Sequence, residues 1–211
     1  MIKIRNENET DFGNVEDITR KAFWNLYIPG CVEHYLVNIM RSHDDFIPEL
    51  DFVIEVDNQI IGNIMYTKAK LADECGEEKD ILTFGPLCIL PEYQREGYGK
   101  KLLEHSFKQA LALGYDVIVI FGNPNNYVSR GFKSCKKYNI CLENGVYPAA
   151  MMVKVLKPDA LDGRKWVYHQ SPVFEIDELE AQRFDERFEK LEKKYQPSQE
   201  EFYIHSNAVL Q

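Results

Sequence analysis

The sequence predicts a mixed α/β protein: a central sheet with helices on both faces, followed by a helical C-terminal extension. Three observations predict it. Apolar residues recur every three or four positions over residues 12–26 and 102–111, as one face of a helix requires. Runs of branched and aromatic residues at 52–56, 60–66 and 117–120 are too short for helices and lie between turn residues, as strands do. The two patterns alternate along 211 residues, a length suited to one well-cored domain with an appendage.

Met1-Ile2-Lys3-Ile4-Arg5 alternates apolar with basic and reads as a first strand. It lacks the apolar core and small-residue cleavage site of a signal peptide, so a cytoplasmic protein is expected. Asn8, Glu9, Thr10 and Asp11 offer caps for a helix whose apolar face is Phe12, Val15, Ile18, Ala22 and Leu26; Pro29-Gly30 breaks it. A second helix follows, with Tyr35, Leu36, Ile39 and Met40 on its apolar side and Glu33 and His34 near its start. Asp57-Asn58-Gln59 separates two strand-like runs and predicts a hairpin. A polar, acidic connection over 73–80 leads to a run at 81–90 that is apolar almost throughout, as a strand covered on both faces would be. Gly85-Pro86 interrupts that run; proline has no N–H to give the ladder, so a bulge or local splaying is expected there.

Leu102, Leu103, Phe107, Ala110 and Leu111 mark a long helix over 96–113, stopped by Gly114. Residues 115–121 read as another buried strand, followed by a short helix. Residues 132–142 and 147–156 then read as an antiparallel pair across Glu143-Asn144-Gly145. The domain is set at 1–158 and the extension at 159–211. Residues 171–211 hold ten Asp/Glu against five Lys/Arg. Ile176, Leu179, Phe184, Phe188, Leu191 and Tyr195 fall near one face, which predicts a single docked helix over 172–195. Acids in its first turns and lysines in its last complement the helix dipole, and Pro197 ends it.

Composition narrows the function classes. Hydrophobic residues make up 45% and charged residues 28%, the balance of an ordinary globular protein. No run approaches the eighteen or so apolar residues of a membrane span, so no membrane partner is expected. The five cysteines include no CxxC pair, which argues against a disulfide framework and a zinc site; no metal is expected. A net charge of −9 disfavours nucleic acid, whose phosphates need a basic surface. It suits a cationic substrate such as an amine.

The chemistry concentrates in residues 87–100. A buried strand runs into a loop that opens directly into a helix, whose first-turn N–H groups lack internal partners and carry positive dipole. Gly97 and Gly99 remove side chains where an anion would approach, and Arg95 and Lys100 add charge, so the segment reads as a pyrophosphate site. The spacing is neither GxxxxGK[ST] nor a GxGxxG after a first strand.

Gln94-Arg95-Glu96-Gly97-Tyr98-Gly99 resembles the Q/R-x-x-G-x-G/A signature of the GNAT superfamily of acetyl-CoA-dependent N-acetyltransferases. The order of elements from residue 1 to about 156 resembles that family too. The resemblance implies a mostly antiparallel sheet and acetyl-CoA as cosubstrate. Its pyrophosphate would lie on Arg95, Glu96, Gly97, Tyr98, Gly99 and Lys100, and its pantetheine arm would pair with Leu87, Cys88 and Ile89 where two strands splay. The stretch 122–132 resembles the family's Tyr-x-x-x-Gly-Phe element. That likeness implies Tyr127 beside the acetyl-CoA sulfur, where a phenol stabilises or protonates the departing thiolate. Asn123 is an implied coenzyme contact, on a loop shorter than many members carry. Glu33 and His34, on the helical region that lines the acceptor side in this family, are the candidates for general base, Glu33 first. The resulting reading is transfer of acetyl to a primary amine of a small molecule or polypeptide by direct attack, by a monomer or a homodimer. The alternative is a non-catalytic acyl-CoA sensor or interaction module that recruits a partner through the acidic tail. Tyr127 separates the two, because a sensor needs no leaving-group acid.

Overall fold

In the computed structural model, which describes residues 1–211, local polar chemistry sets the first elements. After strand β1 (Ile2–Asn6), Asn8 and Asp11 form a capping box: the Asn8 side chain accepts the Thr10 N–H at 3.0 Å and Asp11 accepts the Asn8 N–H at 2.9 Å. Helix α1 (Phe12–Phe23) follows. It ends three residues short of the periodic pattern because Asn25 is left-handed (φ 59) and its side-chain oxygen accepts the Gly30 N–H at 2.9 Å. Helix α2 (Glu33–Met40) comes next. Asp57 and Asn58, with φ of 49 and 66, make the two-residue turn joining β2 (Phe52–Val56) to β3 (Gln59–Asp73). β3 and β4 (Glu78–Ile89) run further than predicted. Much of the acidic 73–80 connection pairs as the outer part of their hairpin, where Lys70 meets Glu78 at 2.5 Å.

The remaining elements are α3 (Tyr98–Ala112), β5 (Val117–Phe121), α4 (Pro124–Tyr127), β6 (Lys133–Ser134), β7 (Ile140–Cys141), β8 (Met151–Val155), β9 (Trp166–His169), α5 (Glu178–Asp185) and α6 (Pro197–Asn207). One nine-stranded sheet runs β1-β2-β3-β4-β5-β8-β6, with β9 on the outer part of β3 and β7 beside β9. Every pairing is antiparallel except β4–β5 and β7–β9. Helices cover both faces. Tyr66 meets Ser106 of α3 at 2.8 Å on one face, while Cys88 meets Thr19 of α1 at 3.5 Å on the other. The main core lies between these helices and the sheet, and a smaller one gathers around Trp166, Tyr168, Val119 and Val153. No helix is long and apolar enough to cross a membrane.

Two expectations need correction. Residues 132–142 do not form one strand against 147–156. Only Lys133 and Ser134 pair with β8. A 3-10 turn (Cys135–Tyr138) and left-handed Asn139, whose side chain accepts the Tyr147 hydroxyl at 2.7 Å, then divert Ile140 and Cys141 to β9. The extension is also not one helix. Asp177 caps α5 by accepting the N–H groups of Leu179 and Glu180, and the helix stops at Asp185. Residues 186–196 then spend their polar groups on the α1–α2 loop: the Glu192 carbonyl accepts from Trp24 Nε1 at 3.0 Å and from Asn25 Nδ2 at 2.9 Å. Pro197 opens α6 rather than ending a helix, at the position where its missing N–H costs nothing. Leu179, Leu191 and Tyr195 remain exposed.

Candidate active site

The site grows from a fault in the sheet. β4 and β5 pair only at Leu82–Ile118. Beyond it, Gly85 and Pro86 together stand opposite Met65 of β3, a bulge where the sequence predicted one. From there β4 presents an edge with no strand partner. A cleft of about 660 Å³ fills the gap, with Gly85, Pro86 and Leu87 on one wall and Phe121 and Gly122 on the other.

At one end of the cleft lies the turn into α3. None of the backbone N–H groups of residues 95–100 donates to a carbonyl of the chain. Arg95 (φ 65) and Gly97 (φ 89) are both left-handed, so successive N–H groups form a concave, anion-sized nest backed by the helix dipole. A left-handed residue with a Cβ costs on the order of 1–3 kcal/mol, and Arg95 bears that cost beside the nest. Arg95, Gly97, Gly99 and Lys100 line the cleft, as do Leu87, Cys88 and Ile89. Glu96 is exposed and Tyr98 packs edge-on against Tyr93, so these two contribute backbone rather than side chain. The Cys88 thiol is pushed up to about 11 by burial and rests on Thr19, which makes it a packing group.

Tyr127 lies further along. Its ring approaches Gly122 so closely that a Cβ there would come within 2.6 Å of it. Phe84 and Phe132 hold the ring on other sides, with centroids at 5.8 and 5.6 Å. Burial, and then the neighbouring Tyr27 phenol, push its pKa well above the ordinary tyrosine value, so the hydroxyl keeps its proton. Asn123 is spent locally: its side chain accepts the Asn125 N–H at 3.0 Å to cap α4, while Asn125, Asn126, Ser129 and Arg130 line the cleft instead.

Glu33 and His34 part company. Consecutive helix positions point about 100° apart, so only one of them faces the cleft. Glu33 does. Its carboxylate accepts the Val32 N–H at 3.0 Å, and burial raises it to about 7. His34 is fully buried on the other side, under α5. Its Nε2 lies 3.1 Å from Asp185, Phe184 and Phe188 cover its ring, and burial lowers it to about 4. It lies outside the cleft, neutral and out of reach of an acceptor. Sequence reasoning missed Tyr27, which lines the cleft between Glu33 and Tyr127 and whose phenol is raised to about 12 by burial and then by Glu33. It follows the left-handed turn at Asn25, off the helical period, so no spacing signalled it. No group of three or more His, Cys, Asp or Glu side chains gathers to hold a metal ion.

The cleft thus carries an anion nest with two cations at one end and a carboxylate with two phenols at the other. Known proteins share this frame. The chain is 24% identical over 160 residues to YhbS, an uncharacterized N-acetyltransferase of Escherichia coli, covering 76% of this chain and 90% of that protein. It is 22% identical over 128 residues to YjhQ, another uncharacterized N-acetyltransferase of that organism, covering 61% and 67%. Among solved structures, YhbS in complex with CoA superposes with a TM-score of 0.70 at 22% identity, over 83% of this chain and 92% of that one. A GNAT family acetyltransferase from Brucella melitensis in complex with acetyl-CoA superposes with a TM-score of 0.65 at 24% identity, over 82% and 98%. Residues 20–134, which run from the C-terminal half of α1 through the nest and Tyr127 to β6, match the family model for the acetyltransferase (GNAT) family, and the chain belongs to that family.

Proposed function

We propose that the protein transfers the acetyl group of acetyl-CoA to a primary amine. The observation that carries this reading is the continuity of one cleft from the unpaired N–H groups of residues 95–100, past the free edge of β4, to Tyr127 and Glu33. The residues present fit the cosubstrate. Six adjacent backbone donors with Arg95 and Lys100 suit a pyrophosphate, and the unpartnered edge at residues 87–89 suits an amide-bearing arm laid along it as a strand is. The thioester supplies the activated acyl group. The amine attacks as the neutral base, Glu33 takes one proton from its nitrogen, the new C–N bond replaces the C–S bond, and Tyr127 gives its proton to the departing sulfur. Proton exchange with solvent resets both residues. Carboxylate and phenol are each held near the protonation state the step requires.

The direct test is thermal unfolding with acetyl-CoA. At a hundred times its Kd, a ligand of the folded state adds about 2.7 kcal/mol, so the melting temperature rises by several degrees. No rise at millimolar acetyl-CoA overturns the reading. The nest itself is tested at Gly99 rather than Gly97, whose φ of 89 would strain any side chain. A Cβ at Gly99 meets nothing closer than Ile89 at 3.7 Å, so Gly99→Val folds while crowding the donors. Its acetyl-CoA affinity is expected to fall at least about tenfold, or 1.4 kcal/mol, by calorimetric titration; parental affinity places the phosphates elsewhere.

A further inference from the structure

The C-terminal segment is tied to two loops that adjoin the cleft. One end of α6 is tied to the α1–α2 loop, where Gln199 donates to the Asn25 carbonyl at 3.0 Å and Asn25 accepts the Lys194 N–H at 3.1 Å. Past its other end, Ala208 accepts the Ala149 N–H at 2.8 Å and Leu210 donates to Tyr147 at 2.9 Å. Each loop adjoins a different wall of the cleft. Leu26 and Tyr27 follow Asn25 into the cleft, while Ala150 accepts the N–H of cleft-lining Gly122 at 3.0 Å. An eleven-residue helix is about 16 Å long, enough to cross a cleft mouth. On the way, Phe202 stacks on Tyr27 with centroids 4.5 Å apart and planes 28° apart. On that side of the cleft, α1, its loop and α2 contribute Ala22, Phe23, Leu26, Tyr27 and Leu36, with Glu33 as their one charge; the other charged liners, Arg95, Lys100 and Arg130, come from the opposite segments.

We propose that α6 roofs the acceptor subsite and that the subsite takes a small primary amine carried on an aromatic or apolar body, its ring against Tyr27 and its nitrogen at Glu33. This rests on the acetyl-transfer reading above. A roof tied to both walls bars the backbone of a polypeptide. An apolar floor with one carboxylate gives a polyamine or aminoglycoside nothing for its remaining charges, and unpaired buried charges are costly. Phe202 acts through Tyr27, as a positioning residue.

The experiment uses the full chain with acetyl-CoA and compares 2-phenylethylamine, spermidine, an aminoglycoside and a lysine-bearing peptide by CoA release. Calorimetry on the CoA-loaded protein measures amine binding independently of turnover. 2-Phenylethylamine is expected to exceed the others in kcat/KM by about tenfold or more. Phe202→Ala, at a position 41% exposed, should raise its KM by about tenfold, leave kcat and the acetyl-CoA KM unchanged, and be rescued by Phe202→Tyr. Preference for peptide, spermidine or aminoglycoside, an unmoved acceptor KM in Phe202→Ala, or no binding of 2-phenylethylamine overturns the inference. Failure of acetyl-CoA to stabilise the protein instead overturns the reading beneath it.

Discussion

Tyr127→Phe is expected to slow acetyl transfer by about 10²–10⁴-fold, the usual worth of a positioned general acid. The change removes one hydroxyl and leaves the ring. Phe84, Phe132 and the Gly122 backbone grip that ring, so the fold and acetyl-CoA affinity should change little. The measurement is single-turnover CoA release, which isolates chemistry from product departure, beside a binding isotherm for acetyl-CoA. Parental single-turnover rates reduce Tyr127 to packing. A large loss of affinity instead makes it a cosubstrate contact.

Glu33→Gln is the second large effect, again about 10²–10⁴-fold for loss of a general base, and pH distinguishes its causes. With the carboxyl raised to about 7 by burial, parental kcat/KM should climb through a limb centred near pH 7, and the substitution should abolish that limb. Stability moves the opposite way. The folded protein holds the Glu33 proton across the window from about pH 4.5 to 7 in which the unfolded chain releases it. Stability therefore falls as pH rises through that window. The glutamine variant escapes this loss, so at pH 8 it should melt above the parent while working far more slowly. A variant that is slower and also less stable at pH 8 marks Glu33 as structural.

How much of this could be read from the sequence follows from how each part is assembled. The anion nest is six consecutive residues, with its chemistry in the backbone, so Gly97, Gly99 and the strand before them announced it directly. Tyr127 was legible for the same reason, with Gly131-Phe132 in fixed register behind it. The other end of the cleft is lined by Tyr27 and Glu33, which no period or spacing connects. Glu33 and His34 looked equivalent as neighbours, and only the helical turn between them, with α5 covering one face, tells them apart. The tail misled through its aromatic spacing. Phe184 and Phe188 do pack on His34, but two helical turns and a stretch of irregular chain satisfy that packing, and Leu179, Leu191 and Tyr195 stay exposed.

The pairing of Arg20 with Asp185 has a consequence for the order of folding. The two groups meet at 2.6 Å across 165 residues of chain, and Arg20 is 3% exposed. In a chain made from its N-terminus, α1 and α2 exist long before α5 emerges, and through that interval the guanidinium and the His34 ring lie on a surface waiting for its cover. Bringing such distant segments together is entropically costly and slow. The nest and the β3–β4 hairpin are local and close early. Docking of α5 on α1 and α2 is thus a late event, and until it happens the newly made chain carries Arg20 and His34 without the cover that later buries them.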